Sequence, residues 1–149
     1  RKQVMDVMNP LAENVLFPHS GTFSANPITL TAGLESMKLF DATAIERINT
    51  LAQRAIDGIE RAIKETGATA CVTGAGSMFR IHMKEHAPKN FREAYMSPEE
   101  NAKLKILLDH MFDENFLMIN TCSAVLSTPM TESEIDELVE AVKRGLQKL

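Results

Sequence analysis

Apolar residues recur every three to four positions through "TAIERINTLAQRAIDGIERAIKETG" (43–67). Ile45, Ile48, Ala52, Ala55, Ile56, Ile59, Ala62 and Ile63 share one side, with charges opposite. That period predicts a long amphipathic helix of about six turns. Thr43 with Glu46 reads as its capping box, and Gly67 as its C-terminal stop. The period then changes to two. "TACVT" (69–73) is β-branched and strand-like, Gly74 and Gly76 predict a turn or bulge, and "SMFRIHMK" (77–84) alternates. Phe79, Ile81 and Met83 fall on one face of that second strand, Arg80, His82 and Lys84 on the other. The two runs read as antiparallel neighbours.

The helical period returns twice more. After a polar connection (85–96), Ser97-Pro98-Glu99-Glu100 combines a cap, a proline at the first helical position and a capping-box glutamate. Leu104, Leu107, Leu108, Met111 and Phe112 then pattern a helix to about Asn115. "FLMIN" (116–120) and "SAVLS" (123–127) are strand candidates. Thr131 with Glu134 makes a third capping box, with Met130 stapling Ile135. Ile135, Leu138, Val139, Val142 and Leu146 line the last helix. Nearer the start, Asn26-Pro27 marks a helix running to about Phe40 with Leu30, Leu34 and Met37 in phase. Gly33 inside it costs about 1 kcal/mol against alanine and predicts close backbone packing there. One-sided helices and short strands together predict an α+β fold, helices covering a small, mostly antiparallel sheet.

The 149 residues, 44% hydrophobic and 24% charged, suffice for one domain with a core. A net charge of −4 argues against a nucleic-acid partner. No apolar run reaches the roughly 18 residues of a membrane span, and no signal peptide opens the sequence. A cytoplasmic protein is expected. Cys71 and Cys122 sit in apolar runs, as buried thiols do. The four histidines are scattered. His82 and His86 stand four apart on a strand and turn, where that spacing does not converge on a metal, so no metal site is predicted. The opening "RKQVMDVMNPLAENVLFP" has neither cap nor turn and predicts a sequence that begins inside a longer chain.

Catalytic signatures are few. "GAGS" (74–77) leads into a strand and suits a hairpin better than a dinucleotide loop. Glu99, Glu100, Glu132 and Glu134 fall in first helical turns, where they complement the helix dipole. The stretch "HSGTFSANPITLTAG" (19–33) places small donors and a glycine ahead of a helix start. The N–H groups of Gly21 and Thr22, the Thr22 hydroxyl and the positive end of the helix at Pro27 suit an anion such as phosphate. A solvated loop with Asn26 as a simple cap fits the same residues, and the residue types leave both readings open.

The same stretch resembles the "G-T-[FYL]-x-[GA]-N-P" segment of class-III pyridoxal-phosphate aminotransferases, including the family's aminomutase branch. "TGAGSMFRIHM" is similar to that family's "GSMF" strand, and "TESEIDELVEAV" to its closing helix. The motifs keep the family's order along nearly the whole chain. The resemblance implies the tail of a large cofactor-binding domain and the start of a linking helix over 1–40, and a C-terminal small domain over 41–149. It implies pyridoxal 5'-phosphate as cofactor of a full-length homodimer, with Gly21 and Thr22 binding the phosphate of the neighbouring subunit's cofactor and a small amino-acid-like substrate. The family's Schiff-base lysine and the aspartate that pairs with the cofactor ring belong to a block upstream of the matched motifs. Lys2 is not in that context, so no catalytic residue is expected in these 149 residues, and they are expected to be inactive alone. Ala25 stands where the aminomutases more often carry glycine and is shared with aminotransferases of β-amino acids. A free-standing, non-enzymatic interaction domain is the remaining alternative.

Overall fold

The computed structural model describes residues 1–14, 16–17, 21 and 24–149. Its chain divides into two units, Arg1–Asp41 and Ala42–Leu149. The second is built around the long helix α3 (Ala42–Thr66), which buries Ile48, Leu51, Ala52, Ala55, Ile59 and Ala62. α3 begins at Ala42, so Thr43 lies inside its first turn and is not the expected cap. Ile45 at that end stays exposed. Gly67 ends the helix as predicted. Its φ of +69° is the left-handed conformation that glycine adopts without Cβ strain, and its N–H donates to the Ile63 carbonyl at 3.0 Å.

Three antiparallel strands follow in the order β1-β2-β3: β1 (Cys71–Ala75), β2 (Met78–His82) and β3 (Ser123–Val125). β1 and β2 pair from Cys71↔His82 to Ala75↔Met78, leaving Gly76 and Ser77 as a two-residue hairpin with Gly76 at φ +58°. Gly74 is not in the turn, as the sequence suggested, but within β1. A Cβ there would sit 2.5 Å from Ile56 Cδ1 and 2.7 Å from the Met78 carbonyl oxygen, so glycine lets α3 close on the sheet. "FLMIN" forms no strand, and the second candidate shrinks to three residues. Phe116 and Met118 pack against the core as an irregular approach to β3.

α4 (Phe91–Ala94) is one short turn within the polar connection. α5 (Pro98–Asp113) and α6 (Glu132–Leu146) complete the unit. The Ser97 box forms as predicted: Glu100 N–H donates to Ser97 Oγ at 3.2 Å, and Ser97 N–H to Glu100 Oε2 at 2.7 Å. At α6, Thr131 N–H donates to Glu134 Oε2 at 2.8 Å. Leu104, Leu107 and Met111 of α5 are buried, whereas Phe112 points outward. α6 inserts Ile135, Leu138, Ala141, Val142 and Leu146 against α3 and α5. Burying each of the larger aliphatic side chains contributes about 1.5–3 kcal/mol. These helices on a small antiparallel sheet make the α+β fold.

Lys84, just past β2, donates to both carboxylate oxygens of Glu100 at 2.8 Å, tying the strand's end to the start of α5. The Lys84 hydrogen bond, then the Ser97 N–H, hold the Glu100 carboxyl below its ordinary value of 4.5. A lowered folded value means the stabilisation is present above 4.5 and lost as pH falls through the folded value. Glu100→Gln is therefore expected to flatten the loss of stability between neutral pH and acid, read as the slope of urea-unfolding free energy against pH. An unchanged slope would rule out this pair as a source of acid sensitivity.

The Arg1–Asp41 unit holds α1 (Lys2–Met5), a 3-10 turn (Asp6–Met8) and α2 (Pro27–Leu39). α2 buries no residue, and Ile28, Leu30, Leu34, Met37 and Leu39 are all exposed. Gly33 has nothing among the described residues within 4 Å of where a Cβ would stand, so the close packing expected there is not found among them.

Candidate functional site

Of the two predicted anion-binding residues, Thr22 lies outside the described residues, as do His19 and Ser20. Gly21 is exposed and opens a turn in which Ser24 N–H donates to its carbonyl at 3.0 Å. A Cβ on Gly21 would stand 2.6 Å from Ser24 Oγ, a contact that rotation of the exposed Ser24 hydroxyl relieves. Ala25 follows at φ +56°, and Asn26 then caps α2. Asn26 Oδ1 accepts from Ile28 N–H at 3.0 Å and Thr29 N–H at 3.2 Å. Pro27 has no N–H, and Leu30 N–H donates to the Asn26 carbonyl. The amides of the first turn of α2 are thus committed. What the helix offers an anion is its dipole, not a free amide of its first turn.

A second polar group lies on the face of the sheet away from α3. In the strand register Thr73, Arg80 and Ser123 are aligned, with Ala75, Met78 and Val125 in the next row. Alternation placed Arg80 and His82 on the face opposite Phe79 and Ile81, yet His82 is only 6% exposed and Arg80 is half-buried. Met78 and Val125 on the same face were the sequence signal that it is not simply solvated. Thr73 Oγ1 and His82 Nε2 are 2.9 Å apart. Burial, then the charges of Arg80 and Lys84, push the His82 imidazole below its ordinary value, leaving it neutral at pH 7. Arg80 Nε is buried without a hydrogen-bond partner among the described residues. Thr73, Ala75, Met78, Arg80, Ser123 and Val125 line an open depression of about 400 Å³ on this face.

Burial keeps both thiols in the protonated form at neutral pH. Burial raises Cys71 and pushes Cys122, at φ +55°, up to about 12. Among the described residues no group of three His, Cys, Asp or Glu side chains could hold a metal, and no helix is long and apolar enough to cross a membrane.

A helix-covered antiparallel sheet preceded by a glycine turn and a capped helix is an arrangement found in transaminases. An ω-transaminase from Sphaerobacter thermophilus superposes with a TM-score of 0.84 at 32% identity, covering 99% of this chain and 34% of that one. A transaminase solved with PLP bound gives 0.76 at 31% identity, covering 99% and 33%. In sequence, the glutamate-1-semialdehyde 2,1-aminomutase of Akkermansia muciniphila is 30% identical over 152 residues, covering 100% of this chain and 34% of its own length. No family model matches the sequence. Over its whole length the chain is a homologue of these class-III transaminases and of the aminomutases. It spans about a third of the length of the curated relatives it matches.

Proposed function

We propose that these residues are the C-terminal part of a pyridoxal-phosphate enzyme that moves an amino group, a glutamate-1-semialdehyde 2,1-aminomutase acting as a homodimer in the cytoplasm. The observation that carries the reading is similarity over the whole chain to an aminomutase, with the "GTFSANP" segment and the "GSMF" strand in the family's order. The residues fit a phosphate. Gly21 opens a turn whose carbonyl accepts from Ser24 N–H, six positions ahead of Pro27, the first residue of a capped helix whose positive end favours an anion. Gly21 N–H together with the Thr22 N–H and hydroxyl would hold the cofactor phosphate of the neighbouring subunit. When bound, the cofactor supplies an electron sink for bond breaking next to the substrate amine. The contribution of this chain is to anchor and orient that group. On this reading the lysine that would carry the cofactor belongs to a segment of the full-length protein outside these 149 residues.

Aminotransfer to a separate acceptor is the second reading. It is favoured by Ala25, which aminotransferases of β-amino acids share, and by the fit to an ω-transaminase. Assaying the full-length protein against glutamate 1-semialdehyde and a panel of amino donors separates the two. Turnover of the semialdehyde without a second amino acceptor supports the mutase, and turnover only of donor–acceptor pairs supports the transaminase. Absence of both contradicts the enzyme reading. The isolated 149 residues are expected to show no pyridoxal absorbance after incubation with the cofactor and no borohydride-fixed adduct. A fixed adduct on any of their lysines would overturn the assignment of the cofactor lysine to another segment.

A further inference from the structure

We infer that His110 is a proton-operated latch on the turn that follows α6: its ring holds Lys148 through Nδ1 and lets go when that nitrogen takes a proton. The ring is buried and fixed in place. Its Nε2–H donates to the Ala141 carbonyl of α6 at 3.0 Å. It also lies against the bare backbone of Gly145, where a Cβ would stand 2.6 Å from Cδ2. The Ala141 bond sets the tautomer, so Nδ1 carries the lone pair. The Lys148 ammonium donates to that lone pair at 2.8 Å. Lys148 is itself exposed, so the Nδ1 edge of the ring borders solvent.

One lone pair cannot serve a proton and an ammonium together. The two compete, and each weakens the other's hold by the same factor. A protonated ring turns Nδ1 into a donor facing another donor, and adds repulsion between two cations. The neighbouring charges decide which partner moves. On α5, Glu114 Oε1 lies 3.8 Å from His110 Nε2 and favours a charged ring. Its carboxyl is held below its ordinary value of 4.5, first by the hydrogen bond from Arg144, so it stays ionised where imidazoles take up protons. Arg144 of α6 donates to both Glu114 oxygens, at 3.1 and 2.7 Å, and so does not replace Lys148 at Nδ1. Lys143, also in the last turn of α6, is paired with Glu65 of α3. The charged ring thus keeps a carboxylate beside it, while the exposed Lys148 swings into water. Lys148 and Leu149 N–H donate to the Gly145 and Leu146 carbonyls at 3.1 and 3.3 Å, and the Leu149 side chain packs against the core. Without its side-chain tether this turn loosens. Every contact involved lies within the Ala42–Leu149 unit, so the latch does not rest on the aminotransferase reading.

The test uses the full-length protein with ¹⁵N-labelled histidine and ¹³C-labelled leucine methyls. The His110 ring signals are identified by their loss in His110→Gln, and the Leu149 methyl signals by their loss in Leu149→Met. From about pH 8 to about pH 5, the window in which histidines change charge, both sets are expected to titrate with one midpoint. The Leu149 methyls should move toward the positions of a mobile chain. Lys148→Met, at an exposed position, keeps the fold and removes the ammonium. There the ring should take its proton at a higher pH than in the parent protein, and the Leu149 step should be lost, with the methyls at their acid positions throughout. A ring that takes no proton down to about pH 5 would overturn the inference. A ring midpoint unmoved in Lys148→Met would show that proton and ammonium do not compete. A Leu149 step that persists in Lys148→Met would place the sensor at another group, and either result refutes the latch.

Discussion

Gly145→Val is expected to lower the unfolding free energy of the Ala42–Leu149 unit by about 3 kcal/mol, the upper part of the usual range for overpacking a closed interior. A Cβ at Gly145 would lie 2.6 Å from both Leu107 Cδ1 and His110 Cδ2, where α6 crosses α5. Neither neighbour has room to yield. Leu107 is fully buried, and His110 is held on both ring nitrogens. Its Nε2 donates to the Ala141 carbonyl at 3.0 Å, which leaves Nδ1 to accept from Lys148 Nζ at 2.8 Å. The helix-propensity gain from losing a glycine is no more than about 1 kcal/mol and does not offset the clash. Gly33→Ala is the control. Its Cβ meets nothing within 4 Å in an exposed helix, so the same loss of glycine should stabilise slightly. Urea unfolding of both variants reads the difference. A neutral Gly145→Val would mean that α5 and α6 do not approach as described.

Thr22→Ala in the full-length enzyme is expected to weaken cofactor binding by about 1.5–3 kcal/mol, roughly 10- to 150-fold, the loss of one hydrogen bond to a charged group. The cap of α2 explains why the effect should be that large. Asn26 accepts both Ile28 and Thr29 N–H, and Pro27 contributes none, so α2 has no spare amide to replace the hydroxyl. Asn26→Ala should act in the opposite sense on the helix: it frees two donors near the anion while costing about 1 kcal/mol of helix stability. Equilibrium dialysis against pyridoxal phosphate measures both variants. Unchanged affinity in Thr22→Ala would refute the phosphate role.

Local sequence signals carried much of the fold. The period of 3.6 through 43–67, the Ser97 and Thr131 boxes and the left-handed Gly67 each specify their element by short-range chemistry, and each element formed. Where the sequence misled, a contact distant in sequence decided. Phe116 and Met118 look like strand residues because they are apolar, but they pack beneath the core as loop. Gly74 looks like a turn residue, and its reason is Ile56 of α3, eighteen positions earlier. His82 sits on the alternation's polar side yet is buried, with its Nε2 2.9 Å from Thr73 Oγ1 on the neighbouring strand. The Gly21–Thr22 site was legible through family resemblance more than physics, since a capping loop uses the same small residues. The commitment of both Asn26 acceptor contacts was not legible, because it depends on loop geometry. Nor was the burial of Arg80 Nε without a partner among the described residues, which is a property of the assembled sheet.

A crystal structure of the full-length dimer with pyridoxal phosphate bound tests the central claim most directly. The account predicts phosphate oxygens within hydrogen-bond reach of Gly21 N–H and the Thr22 hydroxyl, contributed by the subunit opposite the one that carries the cofactor. A phosphate held entirely by other residues, with Gly21 and Thr22 facing solvent, would contradict it.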